Sequence, residues 1–231
     1  EVNDQFKTQV NAKYAFYRTH YVNNDDKLIE VDNLYKQREV YVSTANMYTI
    51  FPFWDVSMSY DFQWNEMKAD MYGFVFPTRF TNLLSIATAL RLGKVKLQGS
   101  GLATFVNDRV KEGPAPKARQ ILTPAVFLSY KLFDKHDFSL RAFYKKTFRM
   151  PTFNDLYYAD MGNSKLDPEY VTQYNLGTVY QKQWGNKLFR HFKIQADGYY
   201  NYVKDKIIAY PKGQQFRWTM LNLGKVKIRG V

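Results

Sequence analysis

Apolar and polar side chains alternate one by one along most of this chain. The clearest stretch is 55–66, DVSMSYDFQWNE. Val56, Met58, Tyr60, Phe62 and Trp64 fall on one side of it, and Asp55, Ser57, Ser59, Asp61, Gln63 and Asn65 on the other. A helix would scatter the two sets around its circumference, whereas a strand separates them. The same register recurs in 8–21, where Val10, Ala12, Tyr14 and Phe16 oppose Gln9, Asn11 and Lys13. In 137–149, Phe138, Leu140, Ala142 and Tyr144 oppose Ser139, Arg141 and Lys145. In 169–182, Tyr170, Tyr174, Leu176 and Tyr180 oppose Gln173, Asn175 and Gln181. In 187–203, Phe192, Ile194 and Ala196 oppose His191, Lys193, Gln195 and Asp197. Weaker segments at 33–49, 79–92, 95–108, 119–132 and 215–230 bring the expectation to ten strands.

Strands of soluble domains average ~5–6 residues, and these segments are two to three times longer. A tilted strand needs ~9–11 residues to cross a bilayer. The connections alternate as well. Short turns fall at Phe51–Trp54, Gly93–Lys94, Asp134–Asp137 and Trp184–Lys187; longer polar ones fall at 22–32, 67–78, 109–118, 150–168 and 204–214. Short turns on one rim and long loops on the other are the outer-membrane barrel pattern. Phe51, Phe53, Trp54, Phe133 and Trp184 sit where an inner-rim aromatic girdle is expected. Two positions disturb the wall: Pro124 removes a ladder donor inside a strand, and Gly99 and Gly101 interrupt the face of Val95, Leu97, Ala103 and Phe105.

Composition sharpens this picture. Aromatic residues make up 18% of the 231, with 19 Tyr and 18 Phe, yet the mean hydropathy is polar at −0.48. Amphipathic rings suit a membrane boundary; a Tyr-rich soluble sandwich is the alternative. No run of roughly 18 apolar residues predicts a transmembrane helix. The opening EVNDQFKTQV has neither a basic n-region nor an apolar h-region and reads as lacking a signal peptide. Cysteine is absent, which removes disulfides, thiol nucleophiles and thiolate metal sites. The net charge of +12 is scattered singly along the strands, which argues against a nucleic-acid partner and toward lumen or rim cations facing anionic ligands or lipopolysaccharide phosphates.

No enzymatic chemistry is expected. His20, His136 and His191 lie on different elements without ligand spacing, and no metal site or cofactor is implied. There is no phosphate loop or nucleophile elbow, and Asp25–Asp26 falls in a loop. The informative stretch is 148–169, FRMPTFNDLYYADMGNSKLDPE. It is a connection stiffened at its ends by Pro151 and Pro168 and turned by Gly162-Asn163. Tyr157, Tyr158 and Asn163 are placed to face a ligand, or to fold over the rim.

That stretch resembles the signature of TonB-dependent outer-membrane receptors. The matching positions are Phe148, Arg149, Pro151, Thr152, Leu156, Tyr157, Gly162, Asn163, Leu166, Pro168 and Glu169, with Asn154 in the first half. Tyr174-Asn175-Leu176-Gly177 resembles the family's Tyr-Glu-Leu-Gly, and Leu221–Gly224 through Ile228–Val231 resembles a later family strand. Met150, Asp155 and Ser164 depart from the usual Ala, Glu and Pro. The family's haem receptors share this motif but place a ligand His between its halves; residues 152–162 contain no His, which speaks against haem as the solute.

The resemblance implies an all-β fold, a transmembrane antiparallel β-barrel of about 22 strands, of which residues 1–231 are a partial wall lacking the plug, the TonB box and the closing strands. It implies a multi-pass protein of the bacterial outer membrane in contact with outer-membrane lipid, with 150–168 extracellular. It implies active import of a scarce large solute, ferric siderophore or cobalamin, energised by the TonB–ExbB–ExbD complex. Arg149, Asn154, Tyr157, Tyr158 and Asn163 are then the candidate ligand contacts. A passive porin or structural barrel, and a soluble glycan-binding β-sandwich, remain the alternative readings.

Overall fold

In the computed structural model the described residues are 5–23, 31–113, 115–133, 137–158, 161–183, 191–212 and 217–231. Ten strands form one antiparallel sheet in strict chain order. They are β1 (Phe6–Asn23), β2 (Val31–Phe51), β3 (Trp54–Ala69), β4 (Thr78–Leu92), β5 (Val95–Arg109), β6 (Arg119–Lys131), β7 (Asp137–Arg149), β8 (Glu169–Gln183), β9 (His191–Lys212) and β10 (Arg217–Gly230). A five-residue helix, α1 (Phe153–Tyr157), lies between β7 and β8. The turns expected at Asp134–Asp137 and Trp184–Lys187, with Asp25–Asp26 and His136, fall wholly or mainly outside the described residues.

Each expected strand is present, and direct cross-strand partners carry the two faces across the whole sheet. Val42, Phe62 and Asn82 follow one another on one face, and Ser43, Asp61 and Leu83 on the other. Burial is inverted relative to a soluble domain. The apolar face stands open, with Met58 50% and Leu176 65% exposed, while Ser43, Asp55, Asn65 and Thr104 on the polar face are buried. No second sheet covers Met58, Phe62 and Trp64 among the described residues, which rules against the soluble sandwich. An apolar face open to lipid and a polar face turned inward are what a membrane barrel wall requires.

The aromatic girdle expected at the short turns is present. Phe51 stacks on Phe53 at 5.4 Å and on Trp54 at 6.3 Å, and Phe133 lies 6.2 Å from Phe138. Trp184 lies outside the described residues. Gly93, at φ 57, makes the turn that sets the β4–β5 register. Gly99 and Gly101 lie on the apolar face opposite Thr88 and Ile86, as expected.

Two expectations need correction. The loop placed at 204–214 is mostly strand, because β9 continues to Lys212 and pairs with β10 from Tyr199 to Lys212 with one break at Asp205. The polar run Lys204-Asp205-Lys206 looks like a strand end. Instead Asp205 and the facing Gly224 both take positive φ, 56 and 33, and the pairing resumes beyond them. The second concerns 150–168, read as a loop without a helix: it contains the five-residue α1. Pro124 remains within β6, opposite Gly101 of β5. The β6–β7 ladder, however, runs only from Lys131↔Ser139 to Ala125↔Lys145 and stops beside the proline. Arg119–Pro124 and Lys146–Arg149 do not pair with each other, consistent with the missing proline N–H.

Candidate functional site: the connection docked on the inner face

The segment between β7 and β8 is built from its own sequence outward. Thr152 caps α1, accepting from the Asp155 N–H at 3.1 Å, while Asp155 Oδ2 accepts from the Thr152 N–H at 2.9 Å. This is a complete capping box in which Asp replaces the usual Glu. Met161 and Gly162 N–H groups close the helix on the Tyr158 carbonyl. A Cβ on Gly162 would lie 2.7 Å from the Leu156 carbonyl oxygen and 2.8 Å from the Tyr157 nitrogen, so only glycine lets the chain fold back this tightly. Phe153, Leu156, Leu166, Pro151 and Pro168 are buried.

Its first half lies across β1–β5 on the polar face. Arg79 of β4 and Asp108 of β5 form a buried bidentate ion pair, both contacts 2.7 Å. The Arg79 Nη1 donates to the Pro151 carbonyl oxygen at 2.7 Å, and its guanidinium lies 5.2 Å from the Phe153 ring centre. Phe153 joins Tyr35, Met67 and Phe74 in one apolar cluster. Tyr158 stacks on Tyr35 at 4.7 Å and meets Tyr21 edge-on at 5.4 Å.

Its second half is bonded to β9 and β10. Asn163 Nδ2 donates to the Met220 carbonyl at 2.9 Å, and the Met220 N–H returns a bond to Met161. Asn222 accepts from the Asp167 N–H and donates to the carbonyls of Asp167 and Asp205. Glu169 Oε2 accepts from the Ile207 N–H at 3.0 Å, next to the irregularity at Asp205. Arg119 of β6 pairs with Asp167 at 2.5 Å. The two sequence stretches that carry the family resemblance, around 148–169 and around 221–231, therefore touch each other. Gly177 of the third belongs to the same logic. A Cβ there would collide with the Asp197 carboxylate, which reaches past it to Arg141 at 3.1 Å.

The five candidate contacts divide accordingly. Arg149 is held by Asp155 at 3.0 Å and Glu169 at 3.8 Å. Asn163 is used by Met220 and by the Lys165 N–H. Tyr158 is stacked as described, and burial raises its phenol pKa. Burial, with Asp108 nearby, pushes the Tyr157 hydroxyl up to about 12; that hydroxyl is shielded and has no hydrogen-bond partner among the described residues. Asn154 and Arg149 are the exposed members of the five, and of these Arg149 is held in ion pairs. Asn154 borders a recess of about 350 Å³ with Tyr17, Thr19, Gln37 and Glu39. Of the histidines, His20 meets Asp32 at 2.5 Å and His191 opens β9.

Sequence reasoning missed the Arg79–Asp108 anchor. Its signal was the Gly93-Lys94 turn: counting outward from it along a two-residue hairpin places 79 opposite 108.

An antiparallel meander with a lipid face, a polar inner face and a connection folded onto that inner face defines a transmembrane β-barrel wall of the outer-membrane type. The TonB dependent receptor-like β-barrel family model matches residues 1–231, and the chain belongs to that family. It is accordingly part of an outer-membrane protein, in a family of transport receptors and not of enzymes. Over 85 residues it is 34% identical to the vitamin B12 transporter BtuB of Vibrio vulnificus, a stretch covering 36% of this chain and 13% of that protein. The fold matches the FrpB iron transporter of Neisseria meningitidis with a TM-score of 0.70 at 14% identity, over 96% of this chain and 37% of that one. It matches the copper transporter OprC with a TM-score of 0.71 at 18% identity, over 99% of this chain and 40% of that one. The chain thus spans about two-fifths or less of each of these three proteins.

Proposed function

We propose that this chain is a section of the wall of an import receptor. The full-length protein, with a plug and TonB box encoded outside these residues, captures a ferric siderophore or cobalamin outside the cell. It imports that solute with energy from the TonB–ExbB–ExbD complex. Family membership over the whole chain is the observation that carries the reading. The likeness to a vitamin B12 transporter supports cobalamin as the first solute to test.

The geometry adds a division of labour. Arg149, Tyr157, Tyr158 and Asn163 hold the connection in shape, so they affect a ligand through its position. Asn154 and Gln37 offer polar atoms at the outer mouth, beside Glu39, whose carboxylate holds Lys13 at 2.9 Å. Such a polar rim suits a large, polar, neutral or weakly charged solute better than an apolar one.

The test is binding of cyanocobalamin and of ferric siderophores to the full-length receptor, followed by uptake in cells with and without TonB. Tight binding of one of them and TonB-dependent uptake are expected, with Asn154→Ala weakening binding while the fold is retained. Uptake that proceeds equally well without TonB would overturn the reading in favour of a passive pore.

A further inference from the structure

The outward face of β8–β10 carries a feature that solute import does not use. Direct cross-strand partners share a face of a sheet, so the register can be read row by row. Leu128, Ala142, Leu176 and Gly198 form one row. Above it, Val126, Tyr144, Tyr174, Tyr200 and Arg229 form the next. Then come Thr172, Tyr202 and Lys227, and then Tyr170, Lys204 and Lys225. Lys206, opposite Leu223, continues the face beyond Asp205. In β10 the apolar residues Val226 and Ile228 therefore point inward, opposite Val203 and Asn201, and the cations point outward.

Depth follows from the strand geometry. Phe192 packs on Tyr180 at 6.3 Å in the inner girdle. An apolar band about 25 Å tall, crossed by strands rising ~3.3 Å per residue at a tilt of ~40°, takes roughly ten residues. Ten residues up β9 from Phe192 is Tyr202. Lys204, Lys225 and Lys227 thus stand at the outer boundary of the bilayer. Arg229 lies one row lower, within reach of the boundary by snorkelling.

Two details point to an anion held there. Lys204 and Lys225 are directly opposed, an arrangement that costs stability unless something neutralises it. Among the described residues the only ion pair made by these five cations is Lys204 with Asp205, at 3.6 Å. Immediately below, beside the small residues Ala142 and Gly198, lies an apolar trough of about 850 Å³, bordered by Leu128, Leu176, Tyr200, Arg229 and Val231. An apolar trough capped by cations is complementary to an amphiphile with phosphates on its head and several acyl chains.

The geometry points to a bound lipid of the outer leaflet. Lys204, Lys206, Lys225, Lys227 and Arg229 engage the phosphates of a lipopolysaccharide-type glycolipid, and its acyl chains lie in the trough. The inference rests on the outer-membrane reading for its orientation and not on the identity of the imported solute. Its cations lie on the face opposite Asn154, so the two can fail separately.

The test uses the full-length receptor in phosphatidylcholine nanodiscs, titrated with bisphosphorylated lipid A, with dephosphorylated lipid A and with inorganic phosphate. The triple variant Lys204→Gln, Lys225→Gln, Lys227→Gln should weaken bisphosphorylated lipid A on the order of a hundredfold, at about fivefold per lysine at an anionic surface. Dephosphorylated lipid A should bind the wild type about as weakly. Gly198→Leu, which fills the trough without touching the cations, should also weaken the lipid. Lys145→Gln, paired with Ala125 on the inner face, should leave it unchanged. The proposal is overturned if the triple variant binds like the wild type, if dephosphorylated lipid A binds as tightly, or if inorganic phosphate displaces the lipid at equal concentration.

Discussion

Arg79 on β4 donates to the carbonyl oxygen of Pro151, 72 positions later in the chain, at 2.7 Å. The bond joins the barrel wall to the connection between β7 and β8. The guanidinium is committed to Asp108 at the same time. Arg79→Ala would leave a buried carboxylate without its partner, a loss of about 3–5 kcal/mol. The expected outcome for the full-length receptor in detergent is a lowered melting temperature, with earlier proteolysis within 150–158. Replacing both partners with apolar residues should recover much of the stability, but not the protection of the connection, because the Pro151 bond stays absent.

Gly162→Ala should cost about 1–3 kcal/mol, because the added carbon meets helix backbone that cannot swing aside. Gly101→Ala, where nothing lies within 4 Å, should be close to neutral. Parallel thermal melts of the two variants check the contrast.

The Tyr157 hydroxyl is raised from 10.0 to about 12. Below pH 10 it is neutral in both folded and unfolded chains and contributes no pH dependence. Between about 10 and about 12 the unfolded chain releases this proton first, so stability should fall as pH rises through that window. A Tyr157→Phe variant should lose part of that slope, and phenolate absorbance should show one late-titrating tyrosine fewer.

Asn222→Ala removes one acceptor and two donor contacts, to Asp167 and Asp205. At about 0.5–1.5 kcal/mol for each hydrogen bond, the second half of the connection should loosen first. Faster hydrogen exchange at Asp167 and Ile207, with slow exchange preserved at Leu156 and Tyr158, is the expected pattern. Uniform acceleration across 150–169 would contradict the two-sided docking.

Ile86 is exposed on the lipid face, and Ser85 is its neighbour on the inner face. Ile86→Arg should cost about 2–4 kcal/mol if it lies near the bilayer midplane, and Ser85→Arg much less. Folding titrations into lipid vesicles measure both.

The wall was legible because alternation is local. Val56 to Asn65 define their faces without reference to anything distant, and the Gly93-Lys94 turn carries the register of β4 on β5. The capping box of α1 was also present in Thr152 and Asp155, but a five-residue helix leaves no periodic apolar stripe to draw attention to it. The contacts of Tyr158 with Tyr35 and of Arg79 with Pro151 were not legible. They arise only when the sheet brings a connection between β7 and β8 over β1–β5. The phase of β10 was hidden for another reason: Lys225, Val226, Lys227, Ile228 and Arg229 alternate equally well either way, and only the pairing with β9 decides which set faces lipid.

The ladder that stops beside Pro124 gives the docked connection a mechanical meaning. Above Ala125 the outer ends of β1–β6 and of β7–β10 are two panels that meet along a seam with no backbone pairing. The connection leaves one panel at Arg149, fastens to the other through Arg79 and Tyr35, and is bolted back through Asn222 and Glu169. Arg119 and Asp167 add a second tie across the same seam. The connection thus does for the outer half of the seam what the β6–β7 ladder does for the lower half: it ties the two panels together through side chains where no backbone pairing can.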